Sequence, residues 1–182
     1  MEYPKKEELI NAITDAARKA FLSLFENRPG NYYYCSLITT GEAHAPLVSA
    51  WSIEALDAKV LEFQNPQEAR KRLKWSYADS PYYGYGESYF ETVKYLFAKR
   101  PQISAKLSDD EWKAEYQIRI DAMEAAMTLL DSEGLFGEGN ERCHTAVLVE
   151  VMPPDYTNTQ RAFRLNPSAA IKQWLEEAAE LE

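Results

Sequence analysis

The chain has 182 residues with a formal net charge of −9, and 46% of its residues are hydrophobic. This length and composition are typical of one globular domain with a sizeable core, so we expect a single domain over residues 1–182. The acidic balance argues against a nucleic-acid partner, because binding to nucleic acid depends on Lys and Arg neutralising phosphates. No apolar run reaches the ~20 residues that cross a bilayer, and we expect a cytoplasmic protein without a membrane partner.

The first part of the chain predicts a helix, a hairpin and two short helices. Between residues 4 and 25, apolar residues recur at spacings of three and four, as in an amphipathic helix. Residues 32–40 and 47–51 are rich in aromatic and β-branched residues and predict two strands that form a hairpin. Ser52 and Asn65 suit the cap positions of two short helices that follow.

The second part predicts three helices and one strand. Residues 87–99 have one apolar side, and the capping box at residues 108–111 opens the clearest helical pattern. Residues 145–152 are mostly apolar, as in a central strand. The last helix begins at residues 166–168, and the acidic tail after it is expected to fray. The order lacks regular βαβ alternation. We therefore predict an α+β fold: a small, mostly antiparallel sheet, made of the hairpin and the late strand, with several packed helices.

The most unusual stretch is residues 75–90, which we call the aromatic segment. Seven of its sixteen residues are aromatic, and Pro81, Gly84 and Gly86 interrupt any regular helix. The segment is either a structured connector packed into the core or a tyrosine-rich surface for a partner. Buried tyrosines supply core area, whereas exposed ones often make binding hot spots. The sequence leaves both interpretations open.

Nine residues form the predicted binding site, seven from the aromatic segment and two from the turn-rich residues 153–159. They are Trp75, Tyr77, Asp79, Tyr82, Tyr83, Tyr85, Glu87, Asp155 and Tyr156. Carboxylates against aromatic walls, such as Asp79 and Glu87, can have raised pKa values and act as acids, although both also suit capping positions. Residues 153–159 predict either a functional loop or a connector whose side chains bond the local backbone.

No sequence pattern indicates catalysis, a metal or a cofactor. The motifs of nucleotide-binding loops, zinc proteases and serine hydrolases do not occur. Cys35 and Cys143 lack zinc-site spacing and are expected to be free thiols. Neither His44 nor His144 has a recognisable catalytic partner. We therefore predict no catalytic residue, no metal ligand and no cofactor, while enzymatic activity stays open.

Three stretches resemble a known family. They are Ser-Ala-Trp-Ser at 49–52, Leu-Lys-Trp-Ser-Tyr-Ala-Asp-Ser-Pro-Tyr at 73–82, and Glu-Val-Met-Pro-Pro-Asp-Tyr-Thr-Asn at 150–158. These are similar to a bacterial domain of unknown function, the family numbered 4303, and the resemblance runs over nearly the whole chain. It implies no established activity, cofactor or catalytic residue. Small acidic α+β families of this kind are similar in style to the immunity proteins of bacterial toxin systems, an analogy that does not fix function.

Three hypotheses follow. The first is a non-enzymatic protein-binding domain, such as an immunity protein that neutralises a toxin, because an acidic protein can complement and attract a basic partner. The second is a small-ligand-binding protein or an enzyme, with an aromatic-walled pocket that uses Asp79 or Glu87. The third is self-association, because the homodimer is the commonest assembly of soluble proteins.

Overall fold

The computed structural model describes residues 3–104 and 106–182, and these residues have the predicted α+β architecture. The helices are α1 (Lys6–Asn27), α2 (Ile53–Val60), α3 (Pro66–Leu73), α4 (Glu91–Ala98), α5 (Asp109–Ser132), α6 (Tyr156–Leu165) and α7 (Ser168–Glu177). The strands are β1 (Tyr32–Thr40), β2 (Leu47–Ser52) and β3 (Ala146–Met152). Two short 3-10 helices cover Glu87–Phe90 and Glu141–His144. None of the helices in the described ranges is both long enough and apolar enough to cross a bilayer.

Side-chain caps fix the starts of three helices where the sequence predicts them. Ser52 before α2 and Asn65 before α3 each accept a hydrogen bond from the amide three residues ahead. Before α5, the Ser108 hydroxyl accepts from the Glu111 amide, and the Glu111 carboxylate accepts from the Ser108 amide at 3.0 Å. Each bond pairs an amide that the first helical turn leaves unpaired.

The sheet has the strand order β2-β1-β3. β1 and β2 form the predicted antiparallel hairpin. β3 lies parallel to β1, with Tyr34 opposite Ala146 and Thr40 opposite Met152. The sheet is therefore mixed, whereas the sequence predicts a mostly antiparallel one. β3 is also an edge strand rather than the predicted central strand. The parallel pairing is possible because four helices lie between β1 and β3 in the chain and supply a long crossover.

Helices cover both faces of the sheet. Alternate residues of β1 point to opposite faces, as in any strand. Cys35 and Leu37 join a larger core with α1, α4 and α5. Tyr34 joins a smaller core with Trp51 of β2 and with residues of α2, α3, α6 and α7. The near-continuous burial of β1 is the result of this two-sided cover.

Helix α6 closes the free edge of β3 with polar side chains. The Asn158 side chain accepts from the Val151 amide at 2.8 Å and donates to its carbonyl at 3.1 Å. Asn166, just after α6, makes the same two contacts with Val147, at 2.8 and 2.6 Å. Between them, Arg161 donates to a third β3 carbonyl at 2.9 Å. These side chains occupy the place of a fourth strand.

The sequence predicts a loop over residues 153–159, either functional or a connector, and the loop is wrong from Tyr156 onward, where α6 begins. The buried side of α6 carries Asn158 and Arg161, which bond to the strand edge, and Thr159, which donates to the Glu180 carbonyl. The apolar periodicity that signals a helix is therefore weak. The predicted bonding to the local backbone is present. Asp155 caps α6 by accepting from the Thr157 amide at 2.9 Å.

The aromatic segment closes the opposite edge of the sheet, on β2. The Gly84 amide donates to the Val48 carbonyl at 2.8 Å. The Ser80 hydroxyl donates to the Ala50 carbonyl. Gly84 has a φ of 71°, a conformation that glycine adopts without strain. The segment is thus a structured connector along the β2 edge that also exposes Tyr83 and Tyr89, and both edges of the sheet are covered.

The edge contacts of α6 predict a large effect of the Asn158→Ala substitution. It removes both partners of the Val151 backbone inside the protein, and a buried group left unpaired costs about 1–3 kcal/mol. We expect the free energy of unfolding to fall by roughly 2–5 kcal/mol in urea denaturation. Gln160→Ala, at an exposed position of the same helix, is the control and should change it by less than about 0.5 kcal/mol. Equal effects of the two substitutions would contradict the role given to Asn158.

Candidate functional site: an acidic cleft with aromatic walls

The aromatic segment passes from one face of the sheet to the other as it crosses the β2 edge. Trp75 and Tyr77 pack against the smaller core, whereas Tyr82 and Tyr85 pack against the larger one. Tyr83 is 46% exposed, and its ring centre lies 5.8 Å from that of Tyr77. The five predicted aromatic residues therefore do not form one continuous surface, because they divide between the two faces of the sheet.

The two predicted carboxylates of the aromatic segment lie on the surface. Asp79 accepts a hydrogen bond from the Ser76 hydroxyl at 2.7 Å within a turn. Glu87 begins a 3-10 helix and forms an ion pair with Lys94 at 2.8 Å. Both are exposed. These contacts are those of turn and helix-start residues, and neither carboxylate lines the cleft described next.

A cleft of about 560 Å³ lies on the side of the sheet that carries Trp75 and Tyr77. The aromatic segment forms one wall, and the end of β3 with the two prolines after it forms another. α7 and the residues that follow it form the third wall and contribute Trp174. Glu150 and Glu180 also line the cleft, and we call it the acidic cleft.

Glu150 is the single charged residue of β3, and it is only 7% exposed. The hydroxyl groups of Tyr34 and Ser36 on β1 both donate to its Oε2 atom, Ser36 at 2.9 Å. Its Oε1 atom accepts no hydrogen bond from the described residues. Burial raises the pKa of Glu150 to about 7, because the loss of water outweighs the two hydrogen bonds that lower it.

Glu180 supplies the second carboxylate of the acidic cleft. It lies after α7, where the Thr159 hydroxyl donates to its backbone carbonyl at 2.8 Å. Its Oε2 atom is buried and has no hydrogen-bond partner in the part of the chain that the structure describes. Burial raises the pKa of Glu180, and the negative charge of Asp155 raises it further. The charge of Glu180 in turn raises the pKa of Glu150.

Neither of these carboxylates has a cationic partner. Over residues 3–104 and 106–182, no ion pair includes Glu150 or Glu180. The positive charge of Arg161 lowers the pKa of both, but its guanidinium hydrogen-bonds to α6 side chains and to the β3 edge instead. The cleft thus contains two carboxylates that no cation of the described chain pairs with, and Glu150 ionises as pH rises through about 7.

Glu177 of α7 joins two walls of the acidic cleft. Its Oε2 atom accepts hydrogen bonds from the Trp75 indole and from the Lys74 ammonium, both at 2.7 Å. The same ammonium lies 5.1 Å from the centre of the Trp75 ring. These contacts hold the Trp75 ring beside α7, so the position of one aromatic wall depends on the Glu177 carboxylate.

A larger cleft of about 750 Å³, lined by Cys35 and His144 among others, carries less chemistry. Burial raises the pKa of the Cys35 thiol, so Cys35 is a poor nucleophile. Both cysteines are free, as predicted. Among the described residues, no group of three or more His, Cys, Asp or Glu side chains is placed to hold a metal ion. We therefore take the acidic cleft as the candidate site, although it is the smaller of the two.

A family model, the Domain of unknown function (DUF4303), matches residues 13–167. The chain belongs to this family. The match confirms the resemblance found in the sequence, and it contains Trp75, Tyr77 and Glu150 but ends before Trp174 and Glu180. Comparisons with curated proteins and with solved structures found no match.

Two of the nine predicted residues, Trp75 and Tyr77, line the acidic cleft of this DUF4303 protein. Asp155 lies outside the cleft, and its negative charge raises the pKa of Glu180. Tyr156 is a half-buried residue at the start of α6. Glu150 is not among the predicted residues, although a charged residue within an apolar strand is a usable signal. Glu180 is not among them either, because nothing in an acidic tail distinguishes one glutamate from its neighbours.

The raised pKa of Glu150 predicts a pH dependence of stability. The folded state favours the protonated form of Glu150, so protonation of Glu150 stabilises the fold. This stabilisation is complete below the ordinary pKa of 4.5 and is lost as pH rises through about 7. Relative to Glu150→Gln, the wild type should lose about 3 kcal/mol of unfolding free energy between about pH 4.5 and about pH 8. Urea denaturation at both pH values measures this loss. A parallel pH dependence of the two proteins would show that Glu150 titrates normally.

Proposed function

We propose that this DUF4303 protein is a non-enzymatic binding domain that holds a cationic group of a basic protein partner in the acidic cleft. One observation carries the proposal: Glu150 and Glu180 line a cleft with aromatic walls, and no cation of the described chain pairs with either. Ionised carboxylates removed from water are costly unless they are paired. A bound cation would supply the missing partner.

The walls of the cleft suit the same kind of ligand. Trp75, Tyr77 and Trp174 line it, and the faces of such rings attract cations. Tryptophan and tyrosine are also the residues most often found at the energetic centre of protein interfaces. The combination of rings and carboxylates therefore favours a group with positive charge over a neutral or acidic one.

The charge of the whole chain supports a protein partner. At a net charge of −9, the protein attracts basic surfaces over distances longer than any single contact. An immunity protein that neutralises a basic toxin is the specific form of this proposal. The competing hypothesis of an enzyme that uses Asp79 or Glu87 gains no support, because both side chains are exposed and outside the cleft.

Substitutions that remove one negative charge and keep the shape of the side chain test the cleft directly. A short peptide that contains both lysine and arginine serves as the probe, and isothermal titration calorimetry at low salt gives its Kd. We expect Glu150→Gln and Glu180→Gln each to raise Kd about tenfold, the equivalent of one charge-assisted hydrogen bond. Glu176→Gln, on the exposed side of α7, removes the same charge outside the cleft and should change Kd by less than about twofold. Equal increases in Kd for all three variants would show that the net charge of the protein, and not the cleft, attracts the peptide.

Binding to the cleft should also depend on pH. Since a cation pairs with the ionised form of Glu150, whose pKa is about 7, affinity should rise as pH increases through this value. The cleft side of Glu150 also faces Glu180 and Tyr77, and Arg161 and Asp155 act on it from α6 and its cap. The measurement is the peptide Kd at about pH 6 and about pH 8, which we expect to differ several-fold in the wild type and much less in Glu150→Gln. If Glu150→Gln kept the pH dependence of the wild type, ionisation of Glu150 would not control binding.

A further inference from the structure

We infer that residues 178–182, which follow α7, form a strap that regulates the acidic cleft. The strap is closed when Glu180 is neutral or paired with a bound cation, and it opens when Glu180 is ionised and the cleft is empty. The cation-bound closed state rests on the proposed function, whereas the opening on ionisation does not. The inference comes from the weak attachment of the strap and from the sealed carboxylate that it carries.

The strap is held only weakly against the protein. The amides of Ala178 and Ala179 donate to a carbonyl in the last turn of α7 at 2.8 and 3.1 Å, and both alanines pack on the smaller core. Among the described residues, one hydrogen bond links the strap to another element: the Thr159 hydroxyl of α6 donates to the Glu180 carbonyl at 2.8 Å. Leu181 is 89% exposed. Segments with little buried apolar surface and few backbone hydrogen bonds open locally at low free-energy cost.

The strap carries a carboxylate oxygen that is sealed from water. Ala178 and Glu180 line the acidic cleft, and the Oε2 atom of Glu180 is buried without a hydrogen-bond partner among the described residues. A ligand cannot reach this atom from solvent in the conformation that the structure shows. Pairing with it therefore requires the segment that carries Glu180 to move, and the strap controls access to one of the two cleft carboxylates.

Ionisation of Glu180 makes the closed position of the strap unfavourable. A buried carboxylate that ionises without a partner loses its hydration, and opening returns it to water. Burial and the negative charge of Asp155 raise the pKa of Glu180, and they outweigh Arg161 and the Thr159 hydroxyl, which lower it. Protonation of Glu180 therefore stabilises the closed strap. This stabilisation is complete below the ordinary pKa of 4.5 and is lost as pH rises through the raised pKa.

Glu150 adds to this effect from the sheet. It lines the same cleft and becomes negative as pH rises through about 7, and the charge of Glu180 is one cause of its raised pKa. Like charges in one site repel each other, so the second ionisation favours opening further. Tyr77 also lines the cleft, but burial raises its pKa above the ordinary value of 10.0, and it stays neutral in this range.

A bound cation would favour the closed strap. A cation that pairs with both Glu150 and Glu180 removes their repulsion and replaces the hydration that they lose on burial. It contacts Glu180 within the cleft only while the strap is closed, so it shifts the population toward the closed state. The strap thus opens to admit a cationic group and then retains it.

NMR relaxation of the backbone amides tests the inference on the full chain, at low temperature where amide exchange is slow. Without ligand, we expect the order parameters of Ala179 and Glu180 to fall from about 0.85 at about pH 5 to below about 0.6 at about pH 8. Ile171, a buried residue of α7, is the internal reference and should not change. Glu180→Gln cannot ionise and should keep the strap ordered at both pH values. Glu176→Gln, at an exposed position of α7, should open as the wild type does.

A second variant tests the attachment of the strap. Thr159→Val keeps the shape of the side chain but removes the hydroxyl that bonds the Glu180 carbonyl. We expect its strap to have order parameters below about 0.6 already at about pH 5. A strap that stays ordered in this variant would overturn the inference that it is weakly attached.

Addition of the peptide that contains lysine and arginine separates the strap from the proposed function. At about pH 8, a saturating amount of this peptide should return the order parameters of the strap to about 0.85. A strap that stays ordered at both pH values without ligand overturns the inference and leaves the proposed function standing. Opening with pH but no binding of the peptide supports the strap and overturns the proposed function. Binding of the peptide to a strap that stays open overturns the cation-bound closed state.

Discussion

The structure depends on closing both edges of a sheet that has only three strands. Backbone groups at a sheet edge need partners, and an open edge invites pairing with other chains. Here the partners come from segments that are not strands: α6 on one side and the aromatic segment on the other. Each closure also shapes the acidic cleft. The first positions Asn158 and the turn after β3, and the second carries Trp75 and Tyr77 to the face where Glu150 lies.

The acidic cleft is a local departure from what folding alone would favour. A buried glutamate in the strand next to the central one replaces a position that an apolar residue would fill at no electrostatic cost. Tyr34 and Ser36 offset only part of that cost, because both bond the same oxygen of Glu150. Groups with shifted pKa values are common at functional sites, and they also occur in ion-pair networks that only stabilise the fold. Glu150 differs from the buried Glu115, which two arginines neutralise.

Local signals predicted the helices that have caps and apolar stripes. Ser52, Asn65 and the Ser108 box start their helices where expected, since these contacts lie within four residues of each other. The parallel pairing of β3 could not be read from the sequence, because it joins residues more than a hundred positions apart. Helix α6 was not predicted for a related reason. Its buried side is polar only because a strand edge lies beneath it.

The residues of the candidate site differ in the same way: some could be predicted from the sequence, and others could not. Trp75 and Tyr77 belong to a segment whose composition is unusual on its own, and the sequence was sufficient to select them. Asp79 and Glu87 are near these rings in sequence, whereas the carboxylates that line the same cleft are Glu150 and Glu180. Nothing in a single sequence shows which distant acid shares a cavity with a given ring.

The contact of Glu177 with Trp75 and Lys74 gives one aromatic wall of the acidic cleft two anchors of different kinds. The contact lies at the protein surface, where dissolved ions weaken the attraction between charges. Its indole bond is less sensitive than its ammonium bond, so the ring keeps one anchor when the other loosens. Salt therefore weakens the ion pair of Lys74 with Glu177, while the indole bond still holds the Trp75 wall beside α7.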